Sequence, residues 1–287
     1  MGEHPFPESA TSEYEQVTTP VPPLLSQPTS FDAATEELQK LIDWAKEAEH
    51  RVGYFAAVYK RVTLALKQAA ADGAFQDAAR MSTLAGMFAS RYLAAVNAFF
   101  RPGEFTLSEC WRAAFEQLAD PQPVIVQHIQ AGINAHTAFD LGMAVNEITG
   151  SRDVIRIRKD FLAVNAVLAS QADDMLSKVG EISPHLKQVL DTIPGDEAQL
   201  IGPAIKLMRE EAWVFVKTLE WVPGMRLNFI PADVKDNWVA VLTSALFSGL
   251  LSEFFSRIAE QESRDVVRNI EIMDRVADDV ANIRTTL

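Results

Sequence analysis

Two histidines and an aspartate follow one another at helical spacing in the middle of this 287-residue chain. His128, His136 and Asp140 are separated by multiples of four residues, and Gly132 lies between the two histidines. In an α-helix a step of four residues rotates the side chain by only about 40°, so the three polar groups would share one side of the helix. Because Gly132 has no side chain, we expect another group to approach the helix there.

These residue types support two kinds of chemistry. Two neutral imidazoles and a carboxylate are suitable ligands for a divalent metal ion, so His128, His136 and Asp140 form one predicted metal site, whose ion would activate water. In a metal-free alternative, Asp140 orients the His136 ring so that it acts as a general base, with Asn134 beside the site. The catalytic candidates are therefore His136, Asp140 and Asn134.

The same residues also have a purely structural interpretation. A histidine four residues before an aspartate is a favourable pair on a helix, and a buried polar network can simply stabilise a helical bundle. Sequence reasoning leaves this interpretation open beside the catalytic one.

Four further residues are candidates for substrate binding. Arg91 and Tyr92 interrupt an apolar run, so Arg91 is predicted to pair with a buried carboxylate or with an anionic ligand. Glu211 and Trp213 would add a carboxylate and an aromatic wall to a pocket, although an acidic residue early in a helix and a core tryptophan explain them equally well.

The elements that must position these residues are predicted to be helices throughout. Apolar residues recur at helical spacing, whereas alternating β-branched runs are missing, which indicates an all-α protein built as a single large multi-helix bundle. The predicted helical domain covers residues 30–287. Residues 1–29 carry six prolines among Ser, Thr and Glu and are predicted to form a disordered arm.

Turn and cap signals divide the bundle. A first helical region is predicted over residues 32–71, bent near His50. The Thr106–Glu109 segment reads as a capping box at a helix start. Helices are also predicted over residues 124–148, which carry the histidines, and over residues 234–258, where Trp238, Val241, Leu242 and Phe254 would share a buried face.

Composition excludes several classes of function. The formal net charge of −13 argues against nucleic-acid binding, and the longest charge-free apolar stretch, residues 237–252, is too short to span a membrane. A single cysteine, Cys110, and a non-secretory N-terminus predict a cytoplasmic protein. The apolar stripe of the last helix, residues 266–283, is compatible with a homodimer seam.

The chain resembles a family defined as domain of unknown function 5995. The resemblance rests on a His-x-x-x-Gly-x-Asn-Ala-His-x-x-x-Asp-Leu signature, which stands here as His128 to Leu141, and on segments 59–63, 75–81, 88–93 and 209–213. A weaker similarity, at the level of the His136 and Asp140 spacing alone, is to helical zinc-dependent phospholipase C and nuclease enzymes. Those enzymes use more histidines than this chain has, so the similarity implies at most a one- or two-metal site.

We therefore expect an enzyme that acts on a small organic substrate in a pocket of the bundle, either by His/Asp acid–base chemistry or by metal-assisted, hydrolase-like chemistry. A metal-free cyclase or isomerase of secondary metabolism is an alternative, because an apolar bundle suits an apolar substrate. A non-catalytic binding or scaffold protein with a buried His/Asp network is the alternative from another class.

Overall fold

The computed structural model describes residues 20–150, 154–191, 197–220, 229–248 and 252–278. Within these ranges the chain is all-α and contains no β-strand, as predicted. Twelve α-helices lie in the described ranges: α1 (Phe31–Glu47), α2 (Val52–Ala71), α3 (Ala78–Phe100), α4 (Glu109–Phe115), α5 (Ile125–Ile133), α6 (Leu141–Thr149), α7 (Arg158–Ile182), α8 (Pro184–Asp191), α9 (Glu197–Glu220), α10 (Phe229–Ala245), α11 (Ser252–Ala259) and α12 (Val266–Asp278). A π-helix, Asn134–Asp140, joins α5 to α6.

The predicted bend near His50 is a complete break between two helices. Ser30 caps α1 by accepting a hydrogen bond from the Ala33 backbone N–H at 3.2 Å. After Glu47 the chain turns through Glu49, whose φ of 50° lies in the left-handed region, and α2 begins at Val52. A left-handed residue cannot continue a right-handed helix, so the chain reverses here and α2 packs against α1.

The predicted disordered arm is wrong for residues 20–29. Leu25 is buried, and its backbone N–H donates to the Asn97 side chain of α3 at 3.1 Å. The carbonyl of Pro28 accepts a hydrogen bond from Ser90, also on α3. Gly86 permits this close approach, since a Cβ there would lie 2.4 Å from the Thr29 backbone. Residues 1–19 of the predicted arm lie outside the described residues.

The predicted capping box does not form. Helix α4 begins at Glu109, after Ser108, and no side chain of its own sequence caps it. Instead the Asp236 carboxylate of α10 accepts hydrogen bonds from the backbone N–H groups of Glu109 and Cys110, each at 2.8 Å. A carboxylate at a helix N-terminus satisfies free N–H groups and complements the helix dipole. A residue more than a hundred positions away therefore fixes the start of α4.

The predicted helix over residues 234–258 is two helices, α10 and α11, and its predicted buried face is exposed. Trp238 is 44% exposed and Val241 69% exposed, and Leu242 and Phe254 also face solvent.

Among the described residues, none of the helices combines the length and hydropathy needed to cross a membrane.

Helix α12 packs into the fold and does not present its apolar stripe to a partner. Ile270 and Met273 are fully buried. Ile270 lies on Gly53 of α2, where a Cβ would be 2.6 Å from the Ile270 Cδ1 atom. The described part of the stripe thus contacts α2 of the same chain, which removes it as the basis of the predicted homodimer seam.

Candidate acid–base site

The π-helix carries the candidate catalytic residues. It covers Asn134 to Asp140, with α5 before it and α6 after it. π-Helices are rare and are found mostly as single-turn insertions in α-helices, frequently at functional sites. Helices α3, α4, α9 and α10 pack against it, and Phe55 and Tyr59 of α2 place their rings beside His136.

His136 and Asp140 form a buried pair, as their spacing predicts. The Nδ1 atom of His136 lies 3.3 Å from Oδ2 of Asp140, and the residues are 3% and 2% exposed. The Trp111 indole N–H donates to the same Oδ2 at 2.8 Å, and the Arg91 Nε–H donates to Oδ1 at 3.1 Å. The carboxylate is thus held from three sides, by α3, α4 and its own helix.

Aromatic rings enclose His136. The Phe88 ring is stacked on the imidazole with centroids 3.5 Å apart, and the Tyr59 ring meets it edge-on at 4.3 Å. Phe55, Tyr92 and Trp111 complete the surroundings at about 6 Å. Phe88 is only partly buried, whereas the other four rings are buried, so Phe88 is the ring beside the imidazole that also reaches the protein surface.

Burial controls the protonation of this centre. Desolvation lowers the pKa of His136, and the nearby Arg91 cation lowers it further, while the hydrogen bond and the charge of Asp140 act in the opposite direction. The imidazole is therefore neutral at pH 7. Desolvation and the Asp140 charge raise the pKa of Tyr59 well above its ordinary value, so this phenol keeps its proton.

The Nε2 atom of His136 is buried and has no hydrogen-bond partner. Because Nδ1 faces the Asp140 carboxylate, the proton of the neutral ring is assigned to Nδ1, and Nε2 keeps its lone pair. Asp140 thus fixes the orientation of the imidazole, and the nitrogen that keeps its lone pair has no partner.

The three predicted metal ligands do not form a metal site. Phe55 fills the space beside Gly132, where a Cβ would be 2.4 Å from the Phe55 ring, and the same ring contacts His136. This confirms that a group approaches the helix at Gly132, but that group is an apolar ring. His128 instead packs beside Tyr54 and Phe247. Within the described ranges, no three His, Cys, Asp or Glu side chains are placed to hold a metal ion.

The structure brings two of the other candidates to the pair. Arg91 forms an ion pair with Asp140, which was one of its two predicted roles. Tyr92 is fully buried, and its ring centroid lies 6.1 Å from that of His136. Asn134 lies on the π-helix, but its side chain accepts a hydrogen bond from Gln130 at 2.8 Å rather than contacting His136.

Glu211 and Trp213 of α9 lie elsewhere. Glu211 is exposed and faces Lys235 at 3.8 Å. Trp213 packs on Phe161 and stacks beneath the Arg158 guanidinium, whose carbon lies 4.4 Å from the ring centroid. Trp213 therefore belongs to the α7–α9 packing, and Glu211 to the contact between α9 and α10. The substrate-binding role of both residues stays a prediction.

Sequence reasoning missed the contacts that Trp111, Phe88, Phe55 and Tyr59 make with the pair. A buried tryptophan needs an acceptor for its N–H, and this was the available signal at Trp111. No local pattern signals that Phe88 and Phe55 lie against His136, because they come from α3 and α2.

The described fold and site define an all-helical protein with a buried His–Asp pair at a π-helix. The chain belongs to a family of unknown function (DUF5995), whose sequence model matches residues 31–230. The matched range contains all the candidate site residues. No curated protein and no solved structure shows a significant match to the chain.

Proposed function

We propose that the protein is an enzyme that acts on a small organic molecule by acid–base chemistry, with His136 as the proton-transferring residue. The observation that carries the proposal is the free Nε2 atom of a neutral, buried imidazole whose other nitrogen faces a carboxylate. A general base needs an available lone pair and a fixed ring orientation, and this arrangement supplies both.

Asp140 is the positioning residue in this proposal. Its carboxylate fixes the tautomer of His136 and stabilises the imidazolium that forms when Nε2 accepts a proton. Trp111 and Arg91 hold the carboxylate in place, so that it does not rotate away from Nδ1. The oriented pair would then return the proton to another atom of the substrate, as an isomerisation or cyclisation requires.

The aromatic surroundings favour a substrate with an apolar body. Tyr59 and Phe88 contact the imidazole directly, and an apolar substrate would replace part of these contacts without leaving polar groups unpaired. Of the five rings around His136, Phe88 is the one that is partly exposed, so we expect a substrate to reach Nε2 past this ring. The cytoplasmic location remains part of this proposal.

A screen for hydrogen exchange tests the proposal. The protein is incubated in D₂O with a library of small ketones, esters and unsaturated hydrocarbons, and mass spectrometry follows both product formation and deuterium incorporation. We expect at least one compound to react with the wild-type protein. The rate should fall by about a hundredfold or more in His136→Gln, the range that general acid–base catalysis contributes.

His50→Gln is the matched control, because His50 is a second partly buried histidine that packs on Trp44 and Phe100 away from the pair. This variant should keep the wild-type rate. Reaction that persists in His136→Gln, or a wild-type protein that neither converts nor exchanges any compound, would refute the proposal.

A second candidate is a non-catalytic helical protein in which the pair stabilises the bundle. The observation that favours it is that both oxygens of Asp140 already accept hydrogen bonds inside the core. Replacing Asp140 by Asn would then cost about 3–5 kcal/mol of stability, as expected for breaking a buried ion pair. Chemical denaturation measures this loss, which together with a failed screen would favour the structural role.

A further inference from the structure

A narrow pocket lies beside His128 and shares the Phe55 ring with the acid–base pair. Arg51 and Gly132 also line it. Val52, Phe55, Trp111, Ala114, Phe115 and Leu118 supply the apolar part of its lining. The cavity has a volume of about 10 Å³. This is room for one polar atom of the size of a water oxygen.

The His128 ring is the unpaired polar group of the pocket lining. His128 is only 4% exposed, yet neither of its ring nitrogens has a hydrogen-bond partner. A neutral imidazole carries one N–H donor and one acceptor, and buried polar groups are normally paired. The burial of His128 without partners therefore points to a ligand that completes its hydrogen bonding.

The charged groups beside the pocket indicate the charge of that ligand. The Arg51 guanidinium donates one hydrogen bond, to the Leu118 carbonyl at 3.0 Å, and it forms no ion pair with a described carboxylate. Burial and the Arg51 charge together lower the pKa of His128, whereas the charge of Asp120 raises it. A positive side chain and an unpaired N–H donor thus face the same small space, and both favour an anionic oxygen.

We propose that this pocket binds the carboxylate group of a small monocarboxylic acid. One carboxylate oxygen enters the cavity and accepts a hydrogen bond from the His128 ring, and the guanidinium of Arg51 balances the charge. Because the cavity holds only one atom, the rest of the acid lies outside it, at the open side of the pocket. The site does not depend on the acid–base proposal, although Phe55, Tyr92 and Trp111 contact both His136 and this pocket, so a bound acid would lie one aromatic ring away from the pair.

Formate is the probe, because it is the smallest carboxylate. The ring resonances of His128, assigned with the His128→Gln variant, are followed by NMR while sodium formate is added at constant ionic strength. We expect a saturable change of these resonances in the wild-type protein. The apparent affinity should fall at least about tenfold in Arg51→Gln, because the charge-assisted contact is lost.

Arg264→Gln is the matched control. Arg264 also donates to a backbone carbonyl, that of Pro121, but it is exposed and does not line the pocket. The Arg264→Gln variant should bind formate with the affinity of the wild-type protein.

Two comparisons on the unmodified protein keep the test independent of variant folding. Formamide has nearly the shape of formate without its charge. Chloride has the charge of formate without its carboxylate oxygens. Equal effects of formamide and formate, equal affinities for chloride and formate, or the absence of a saturable change with formate would each overturn the proposal.

Discussion

Lowering the pH should destabilise the protein through His128. Burial lowers the pKa of this residue from 6.5 to about 3 in the folded state. As the pH falls, the unfolded chain therefore takes up a proton at His128 before the folded chain does. The stability that depends on the neutral ring is fully present above about pH 6.5 and is lost as the pH falls toward about 3.

The size of the effect follows from the pKa difference. At about pH 4.5 the unfolded histidine is almost fully protonated, and the folded one is still neutral. Each of the two pH units between about 6.5 and about 4.5, over which only the unfolded chain is protonated at His128, costs about 1.36 kcal/mol. The loss of stability relative to neutral pH is therefore about 2.7 kcal/mol. His50, whose pKa is lowered to about 4 by burial, adds a similar loss over the same range.

The assay is urea denaturation at about pH 7.5 and about pH 4.5 in a carboxylate-free buffer. Wild-type protein is compared with His128→Gln, whose side chain does not titrate. Between the two pH values the variant should lose about 2.7 kcal/mol less stability than the wild type. If both proteins lose the same stability within about 0.5 kcal/mol, His128 is not held neutral by burial, and the reasoning from its environment is refuted.

Three substitutions test the packing around the site by chemical denaturation. Trp111→Phe removes the N–H donor to Asp140 and should cost about 1.5–3 kcal/mol, as expected for a hydrogen bond to a charged group; wild-type stability would show that this bond contributes nothing. Gly132→Ala should destabilise by about 1–3 kcal/mol, because the new methyl group meets the Phe55 ring; a more stable variant would mean that the ring gives way and that helix propensity dominates. Asp236→Ala should cost about 1–2 kcal/mol, because it removes the cap of α4. Asp233 is exposed, so Asp233→Ala should leave the stability nearly unchanged, and equal effects of the two substitutions would contradict the capping role.

The helices were predictable because each buries an apolar face whose spacing shows in the sequence. The predictions failed where a distant residue decides the local structure. The Thr106–Glu109 signal was overridden because Asp236 supplies the cap at Glu109. The apolar residues of α10 gave the pattern of a buried face, yet Trp238 and Val241 are exposed, because the hydrophobic pattern does not specify which helices cover one another.

The pair of His136 and Asp140 was predictable because both residues belong to one helical segment. The π-helix that carries them was not, since its sequence has the same apolar spacing as an α-helix. The groups that complete the site come from α2, α3 and α4, and only the folded chain brings them to the pair.

Helix α12 packs on α2 although it lies outside the part of the chain that matches the family. The family match ends at residue 230, but Ile270 fills the space that Gly53 leaves open, two residues before Phe55. Asp236 likewise anchors the helix that presents Trp111. A chain shortened to the matched residues would keep every candidate site residue and lose the outer supports of α2 and α4. The C-terminal helices therefore belong to any functional unit in which the pair is to be studied.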